Sequence, residues 1–306
     1  MPPRSPLPQR HGLDAAWIRT PRVDGEAQTW ATMGDFLRDR LPARAQVDAR
    51  LEAGEFVNHD GQPWSGDEPY RPHQFIWFHR PLEPEVPVPF PITVVAQTER
   101  YVVADKPHFM ATTPRGAHVQ ETALVKLRVR LGLPELTPAH RLDRATAGLV
   151  MFTTRREFRG PYAMVFERRR ARKKYEALAP HDPTVTFPAR VANRIEKERG
   201  SLQARIVAGE PNAETFIERV EVRGSWARYA LTPVTGKTHQ LRVHMASLGL
   251  PILGDPMYPE VLEVAADDFS NPLQLVARGL SFTDPIDGSE ARFESRCALQ
   301  WPHEVA

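Results

Sequence analysis

Residues 140–150 read HRLDRATAGLV, and this stretch decides how the rest of the chain is interpreted. The apolar run Gly148–Phe152 within and after it is typical of a short buried strand. Asp143 lies just before that run and between Arg141 and Arg144. Neighbouring positive charge favours the ionised form of a carboxylate, which suits a nucleophile or a base at neutral pH. A surface ion pair is the alternative, and these residues alone do not decide between the two.

Two further blocks give this aspartate its context. The first is KKYEA at residues 173–177, and the second is TGKTHQLRVH at residues 235–244. The second block is followed by Gly249, PILGD at 251–255 and Tyr258, and shorter matches are DKP at 105–107 and LQLVA at 273–277. In order and approximate spacing, the blocks resemble the RluA-type pseudouridine synthases over residues 92–290. The chain departs from that family's usual residues at Phe109, Ala147, Lys237 and Val276, which puts fine substrate contacts in doubt.

The resemblance implies an isomerase that detaches uracil from C1′ of a ribose in RNA, rotates it and rejoins it through C5. Such a reaction has no net redox change, so no cofactor and no metal are expected. By the resemblance, Asp143 is the catalytic aspartate, Arg242 is the arginine that pairs with it, and the ring of Tyr175 stacks on the extruded base. Leu275 would form an apolar wall of the base pocket. Without the resemblance, Tyr175 and Leu275 are equally typical of core packing.

Basic residues are concentrated in one place on a chain whose formal net charge is only +2. Six of the seven residues from Arg168 to Lys174 are basic, which is the usual footprint of a contact with a polyanion. A solvated helix end is the alternative. The resemblance adds Arg141 beside the site of base extrusion. The residues that we predict to bind RNA are Arg141, Arg168, Arg169, Arg170, Arg172, Lys173 and Lys174.

Composition and the positions of proline residues divide the chain into four parts. Residues 1–32 are expected to be a disordered tail. Residues 33–80 are expected to form a small α+β module that adds RNA contacts, and a structural appendage without RNA contacts is the alternative. Five prolines between residues 81 and 91 predict an extended linker. Residues 92–306 are expected to form the catalytic domain, an α+β fold with a mixed, mostly antiparallel central sheet flanked by helices and a catalytic cleft.

Local patterns predict the elements of these parts. In the small module we expect two helices, around residues 36–41 and 47–51, and two strands, Glu55–Asn58 and Phe75–Phe78. In the larger part the predicted strands are 92–96, 101–104, 148–152 and two within 213–234, and the predicted helices are 121–131, 161–166 with the basic run, and 239–248.

Composition excludes other classes of protein. The 306 residues contain one cysteine, Cys297, which rules out an internal disulfide framework and a Cys-rich zinc module. No apolar run approaches the roughly 18 residues of a membrane-spanning helix. The first residues lack an apolar signal core, so we expect a cytoplasmic protein, and we expect it to be a monomer.

Two other functions stay open at this point. One is a non-catalytic RNA-binding or ribosome-assembly factor on the same scaffold, and the other is a hydrolase that releases free uracil. The RNA is not named by the sequence: ribosomal RNA is favoured and transfer RNA is possible. His140 and His239, which lie within the motifs, are expected to serve as hydrogen-bonded scaffolding.

Overall fold

A computed structural model describes residues 3–22 and 30–302. The chain divides into two compact units, Met1–Pro84 and Glu85–Ala306. The division falls inside the proline-rich segment 81–91. No helix in the described ranges is long and apolar enough to cross a membrane.

The first unit packs two short helices against a two-stranded sheet. Its elements are β1 (Ala16–Arg19), α1 (Met33–Arg40), α2 (Val47–Glu52) and β2 (Phe75–Phe78), with β1 antiparallel to β2. Thr32 starts α1 because its hydroxyl accepts from the backbone N–H of Asp35 while the Asp35 carboxylate accepts from the N–H of Thr32. Buried Met33, Phe36, Leu37, Phe56 and Ile76 form its core.

Strand β1 differs from the expectation for the first part of the chain. Residues 1–32 were expected to be disordered, yet Ala16–Arg19 form a strand in which Ile18 packs against the core and Trp17 is exposed. Four alternating residues in a Pro/Arg-rich stretch are too few for their period to be recognised. Residues 1–2 and 23–29 of that expected tail lie outside the described residues. The predicted strand Glu55–Asn58 is also reduced, because only Val57 pairs there, through isolated bridges to Pro63 and Trp77.

The second unit is built on one large sheet. Its strands are β3 (Thr93–Gln97), β4 (Tyr101–Lys106), β5 (Thr137–Pro138), β6 (Ala147–Thr153), β7 (Arg172–Pro180), β8 (Ala189–Glu196), β9 (Arg205–Val207), β10 (Ala213–Arg223), β11 (Trp226–Pro233), β12 (Leu275–Thr283) and β13 (Glu290–Glu294). The order is β3-β4-β6-β12-β7-β11-β10-β8-β9, with β13 on β12 and β5 on β6. Only β6 and β12 pair in parallel among the described strands. The predicted mixed, mostly antiparallel sheet is confirmed.

Three helices, α3 (Ala123–Leu131), α4 (Arg156–Glu167) and α5 (Gln240–Ser247), cover this sheet. Alternation along the central strands supplies both faces with apolar side chains. Val150 and Phe152 of β6 belong to the cluster that holds Leu127 of α3 and Met245 of α5. Leu149 and Met151 turn the other way and pack with Tyr162 of α4. Strand β6 is therefore buried on both faces, as its apolar run predicts.

Gly148 brings β6 and β12 unusually close, directly after the Asp143 loop. Its φ is +109°, and a Cβ there would lie 2.4 Å from the carbonyl oxygen of Ala277. Only glycine fits this position without moving the backbone. The start of β6 is thereby fixed to the start of β12, which carries Leu275.

Candidate active site

The Asp143 loop is held by backbone contacts. The Thr112 hydroxyl donates to the carbonyl of Leu142 at 2.8 Å and accepts from the N–H of Leu142 at 3.1 Å. The N–H of Thr146 donates to the carbonyl of Asp143 at 3.1 Å and closes a turn. The Asp143 side chain stays 33% exposed, so its carboxylate is accessible while its backbone is fixed.

Arg242 of α5 faces Asp143 but makes its hydrogen bonds to a different carboxylate, that of Asp255. Its Nε and Nη2 donate to the two carboxylate oxygens of Asp255 at 2.8 and 2.5 Å, whereas its Nη1 lies 3.9 Å from Oδ2 of Asp143. Burial acts to lower the pKa of Arg242, but the hydrogen bonds and charge of Asp255, together with the charge of Asp143, raise it overall. The bidentate pair fixes the guanidinium, which then faces Asp143 as an oriented cation. Arg242 thus forms an ion pair with Asp143 at 3.9 Å, while its hydrogen bonds go to Asp255.

Asp255 is a residue whose part in the site was not predicted. It is buried, and its Oδ1 also accepts from the N–H groups of Met257 at 2.8 Å and Tyr258 at 3.1 Å. The motif PILGD contains it, so the signal was present in the sequence, but nothing local tells which cation it pairs with.

Tyr175 lies on β7 with its side chain buried. Burial raises the pKa of its phenol, and the negative charge of Asp143 raises it further. The phenol is therefore protonated at neutral pH, so it can donate a hydrogen bond but does not act as an anion.

One cavity of about 850 Å³ joins these groups, and we call it the Asp143 cavity. It is lined by Asp143, Tyr175, Arg242 and Leu275, which sequence separations of up to 132 residues keep apart in the chain. Seven cationic side chains line it against two carboxylates, those of Asp143 and Glu167. The cations are Arg141, Arg169, Arg172, Lys173, Lys174, Lys237 and Arg242. This charge balance suits a nucleic acid segment more than a neutral ligand.

The basic run does not act as one surface. Helix α4 ends at Glu167, Arg169 has a left-handed backbone with φ +56°, and Arg172–Lys174 already belong to β7. The expectation that the helix continues into the run is wrong, because Ala171 is buried and turns the chain into the sheet. Five of the seven residues predicted to bind RNA line the Asp143 cavity, and Arg168 and Arg170 do not.

The two motif histidines make scaffold contacts. Nε2 of His140 accepts from the N–H of Met151 at 3.2 Å, and its ring stacks on Phe166 with centroids 4.5 Å apart. Nδ1 of His239 lies 2.9 Å from the hydroxyl of Tyr258. Burial lowers the pKa of His140 to about 3 and that of His239 to about 4, so both rings are neutral at pH 7.

Lys106 supports the Asp143 loop from outside the cavity, and this part was not predicted either. It is fully buried, and its Nζ donates to the carbonyls of Pro107, Met110 and Arg144 at 2.9, 2.7 and 3.3 Å. Burial lowers the pKa of Lys106 to about 7, although the charge of Asp143 opposes that shift. The ammonium group thus ties the residue after Asp143 to the loop that follows β4.

A metal ion has no evident set of ligands in the described residues. Within residues 3–22 and 30–302, no three His, Cys, Asp or Glu side chains are grouped so as to hold a metal ion. The expectation that the reaction uses neither metal nor cofactor stays a prediction.

Comparison with known proteins agrees with the geometry. The family described as RNA pseudouridylate synthase matches residues 100–247. The dual-specificity RNA pseudouridine synthase RluA of Salmonella typhi is 30% identical over 237 residues, which is 75% of this chain and 97% of that protein. An RNA pseudouridine synthase of Chloroflexus aurantiacus is 32% identical over 252 residues, 76% of each chain. The structure of human RNA Pseudouridylate Synthase Domain Containing 1 shares the fold, with TM-score 0.54 and 23% identity over 68% of this chain and 84% of that one.

Proposed function

The chain belongs to the RluA-type RNA pseudouridine synthases, which are isomerases, and from that premise we propose that its Asp143 cavity receives one uridine extruded from structured RNA. The observation that carries the proposal is the convergence of Asp143, Tyr175, Arg242 and Leu275 on that single cavity. Base extrusion is required because C1′ and C5 of a stacked, paired uridine are not accessible to side chains.

The proposed chemistry uses the chain's own groups. The bond from C1′ to N1 breaks, the uracil turns within the cavity, and a bond from C1′ to C5 forms. The C5 proton then leaves and N1 takes up a proton from solvent, so that atoms balance without a co-reactant. Asp143 starts the sequence, either by attack or by taking a proton. Arg242 keeps that carboxylate oriented, Tyr175 stacks on the base, and Leu275 walls the pocket.

The hydrolase alternative needs a second carboxylate to place the attacking water. Glu167, an exposed residue at the end of α4, also lines the cavity, and Asp255 is the carboxylate bound to Arg242. Its oxygens are already occupied by Arg242 and by the N–H groups of Met257 and Tyr258. We therefore infer that uracil is rejoined rather than released, and free uracil in the product mixture would contradict this.

Asp143→Asn tests the proposal at its centre. The amide keeps the size of the side chain but removes its charge, so we expect tritium release from C5-labelled uridine RNA to fall by at least about 10⁴-fold. Melting temperature and RNA affinity should stay near those of the wild type, because the loop is held through Leu142 and Thr146 rather than through the carboxylate. Turnover near the wild-type rate would remove Asp143 from this role, and a wild-type protein that binds RNA without tritium release would support a non-catalytic factor.

We further propose ribosomal RNA as the first substrate class, with transfer RNA as the alternative, and the cytoplasm as the place of action. The cationic lining of the cavity supports an RNA substrate but carries no sequence information. Mapping pseudouridines in cells with and without the gene tests this, since a site lost from transfer RNA alone would contradict the preference. Fractionation of the same cells tests the location.

A further inference from the structure

Lys173 differs from its basic neighbours in where its side chain goes. Alternation along β7 places Lys173 and Tyr175 on one face of the strand and Lys174 on the other. A Cβ on Gly236 would lie 3.8 Å from Nζ of Lys173, whereas a Cβ on Gly279 would lie 3.4 Å from Cβ of Lys174. Both lysines line the Asp143 cavity, and the side chain of Lys173 extends toward the loop that precedes α5.

Lys173 also has no anionic partner among the described residues. In the described ranges its Nζ makes no ion pair and no hydrogen bond to the protein, in contrast to Lys126, which pairs with Glu121 at 2.8 Å. The side chain is partly buried, and burial lowers the pKa of its ammonium group. A desolvated cation without a partner is unfavourable for stability, so its retention beside a catalytic cavity calls for a ligand that supplies the missing charge.

We propose that Lys173 binds the phosphate group attached to the uridine in the cavity and thereby positions its ribose against Asp143. This rests on the proposed function, and phosphate is the only anionic group that an RNA nucleotide offers. Lys173 and Tyr175 are separated by two residues, about 7 Å along the strand, so one nucleotide can contact both with different parts. Lys173 is a positioning residue, since it touches no atom of the bonds that change.

The first test separates this role from a structural one. Lys173→Met keeps the length and removes the charge, so kcat/KM for a synthetic stem-loop carrying the mapped uridine should fall about ten- to a hundredfold. The melting temperature should stay equal or rise, because an unpaired buried charge is removed. Lys173→Arg should retain most of the activity. A fall in melting temperature that parallels the loss of activity would indicate a structural role and overturn the proposal.

The second test asks whether phosphate is the ligand. Two stem-loops carry a neutral methylphosphonate, one on the 5′ side and one on the 3′ side of the target uridine. With wild-type protein, one of them should lose about tenfold or more in kcat/KM. Lys173→Met should show no further loss with that RNA, whereas Lys126→Met, at a position that does not line the cavity, should still show the full loss.

The outcomes distinguish failure of the Lys173 proposal from failure of the proposed function. For Lys173→Met, the loss from the substitution and the loss from the methylphosphonate could multiply with both modified RNAs. In that case Lys173 contacts another group and the proposal is wrong, although the enzyme function stands. If the wild-type protein converts none of the unmodified mapped uridine, the proposed function fails and this proposal fails with it.

Discussion

The hydroxyl of Tyr175 is buried near the Asp143 carboxylate, and both conditions raise its pKa. Because its pKa is raised, the phenol stays protonated throughout the neutral range. Tyr175→Phe keeps the ring and removes the hydrogen-bond donor. We expect RNA affinity to stay near the wild-type value and turnover to fall about tenfold to a hundredfold, since proton transfer loses a positioned group. Single-turnover tritium release measures this, and an unchanged rate would mean that only the ring is used.

Single residues show how far the motifs could be used for prediction. The sequence placed Asp143, Tyr175, Arg242 and Leu275 in one site, and the structure brings all four to one cavity, although their roles stay predictions. It did not predict that Arg242 makes its close contacts with Asp255. Partner choice depends on how the start of α5 meets the turn at residues 255–258, and no local pattern reports that arrangement.

Among the elements, the junction between α4 and β7 determines which residues of the basic run line the Asp143 cavity. The turn divides the run, with Arg169 lining the cavity and Arg168 and Arg170 outside it. Replacing all three by glutamine should weaken RNA binding and lower the slope of log affinity against log salt by about 0.7–0.9 for each phosphate that is no longer neutralised. Fluorescence anisotropy at several salt concentrations compares this variant with Arg169→Gln alone. The difference gives the contribution of Arg168 and Arg170 to RNA binding. An unchanged slope in the triple variant would mean that the run faces away from RNA.

The crossing of β6 and β12 gives a second prediction at this scale. Gly148→Ala places a methyl group against the Ala277 backbone, so we expect the free energy of unfolding to fall by about 3 kcal/mol or more and activity to be lost. Gly132→Ala is the matched control, because Gly132 also has positive φ, +65°, but meets nothing within 4 Å of the added Cβ. It should cost about 1–2 kcal/mol. Equal losses in urea unfolding would show that the close approach is not what requires glycine.

The elements themselves were predictable where apolar alternation is long. Strands β4 and β6 and helix α3 are found near their predicted positions, because each presents a continuous apolar pattern to one or two packed faces. Strand β1 and the end of α4 were not, since a four-residue strand and a turn within a charged run have no period of their own. Their structure is set by contacts with distant residues.

At the scale of the whole molecule, buried neutral histidines predict sensitivity to acid. Burial lowers the pKa of His140 to about 3 and the pKa values of His239 and His244 to about 4 each. The unfolded chain takes up these protons near pH 6.5, so stability is fully present above that pH and is lost as the pH falls toward 4. We expect the free energy of unfolding to fall by on the order of 5 kcal/mol over that range.

Urea unfolding at several pH values measures this effect. His244→Gln should flatten part of the dependence, because it removes one of the histidines whose pKa burial lowers. A profile of the wild-type protein that is level between pH 6.5 and 4 would contradict the prediction.

Charge is distributed unequally between the two units. Residues 1–84 contain ten arginines, no lysine and twelve acidic residues, so net charge does not favour the RNA contacts that we considered for the small module. All six lysines of the chain lie in the second unit, three of them on the Asp143 cavity. RNA contact by the first unit therefore stays a prediction without electrostatic support.

The parallel pairing of Ala147 with Val276 means that the two central strands meet only across a very long stretch of sequence. During synthesis, the wall that Leu275 provides emerges after the segments that carry Asp143, Tyr175 and Arg242. Closing so distant a contact costs chain entropy, and contacts between distant residues form slowly during folding. A chain interrupted before β12 therefore contains Asp143, Tyr175 and Arg242 but lacks Leu275, so its cavity is incomplete.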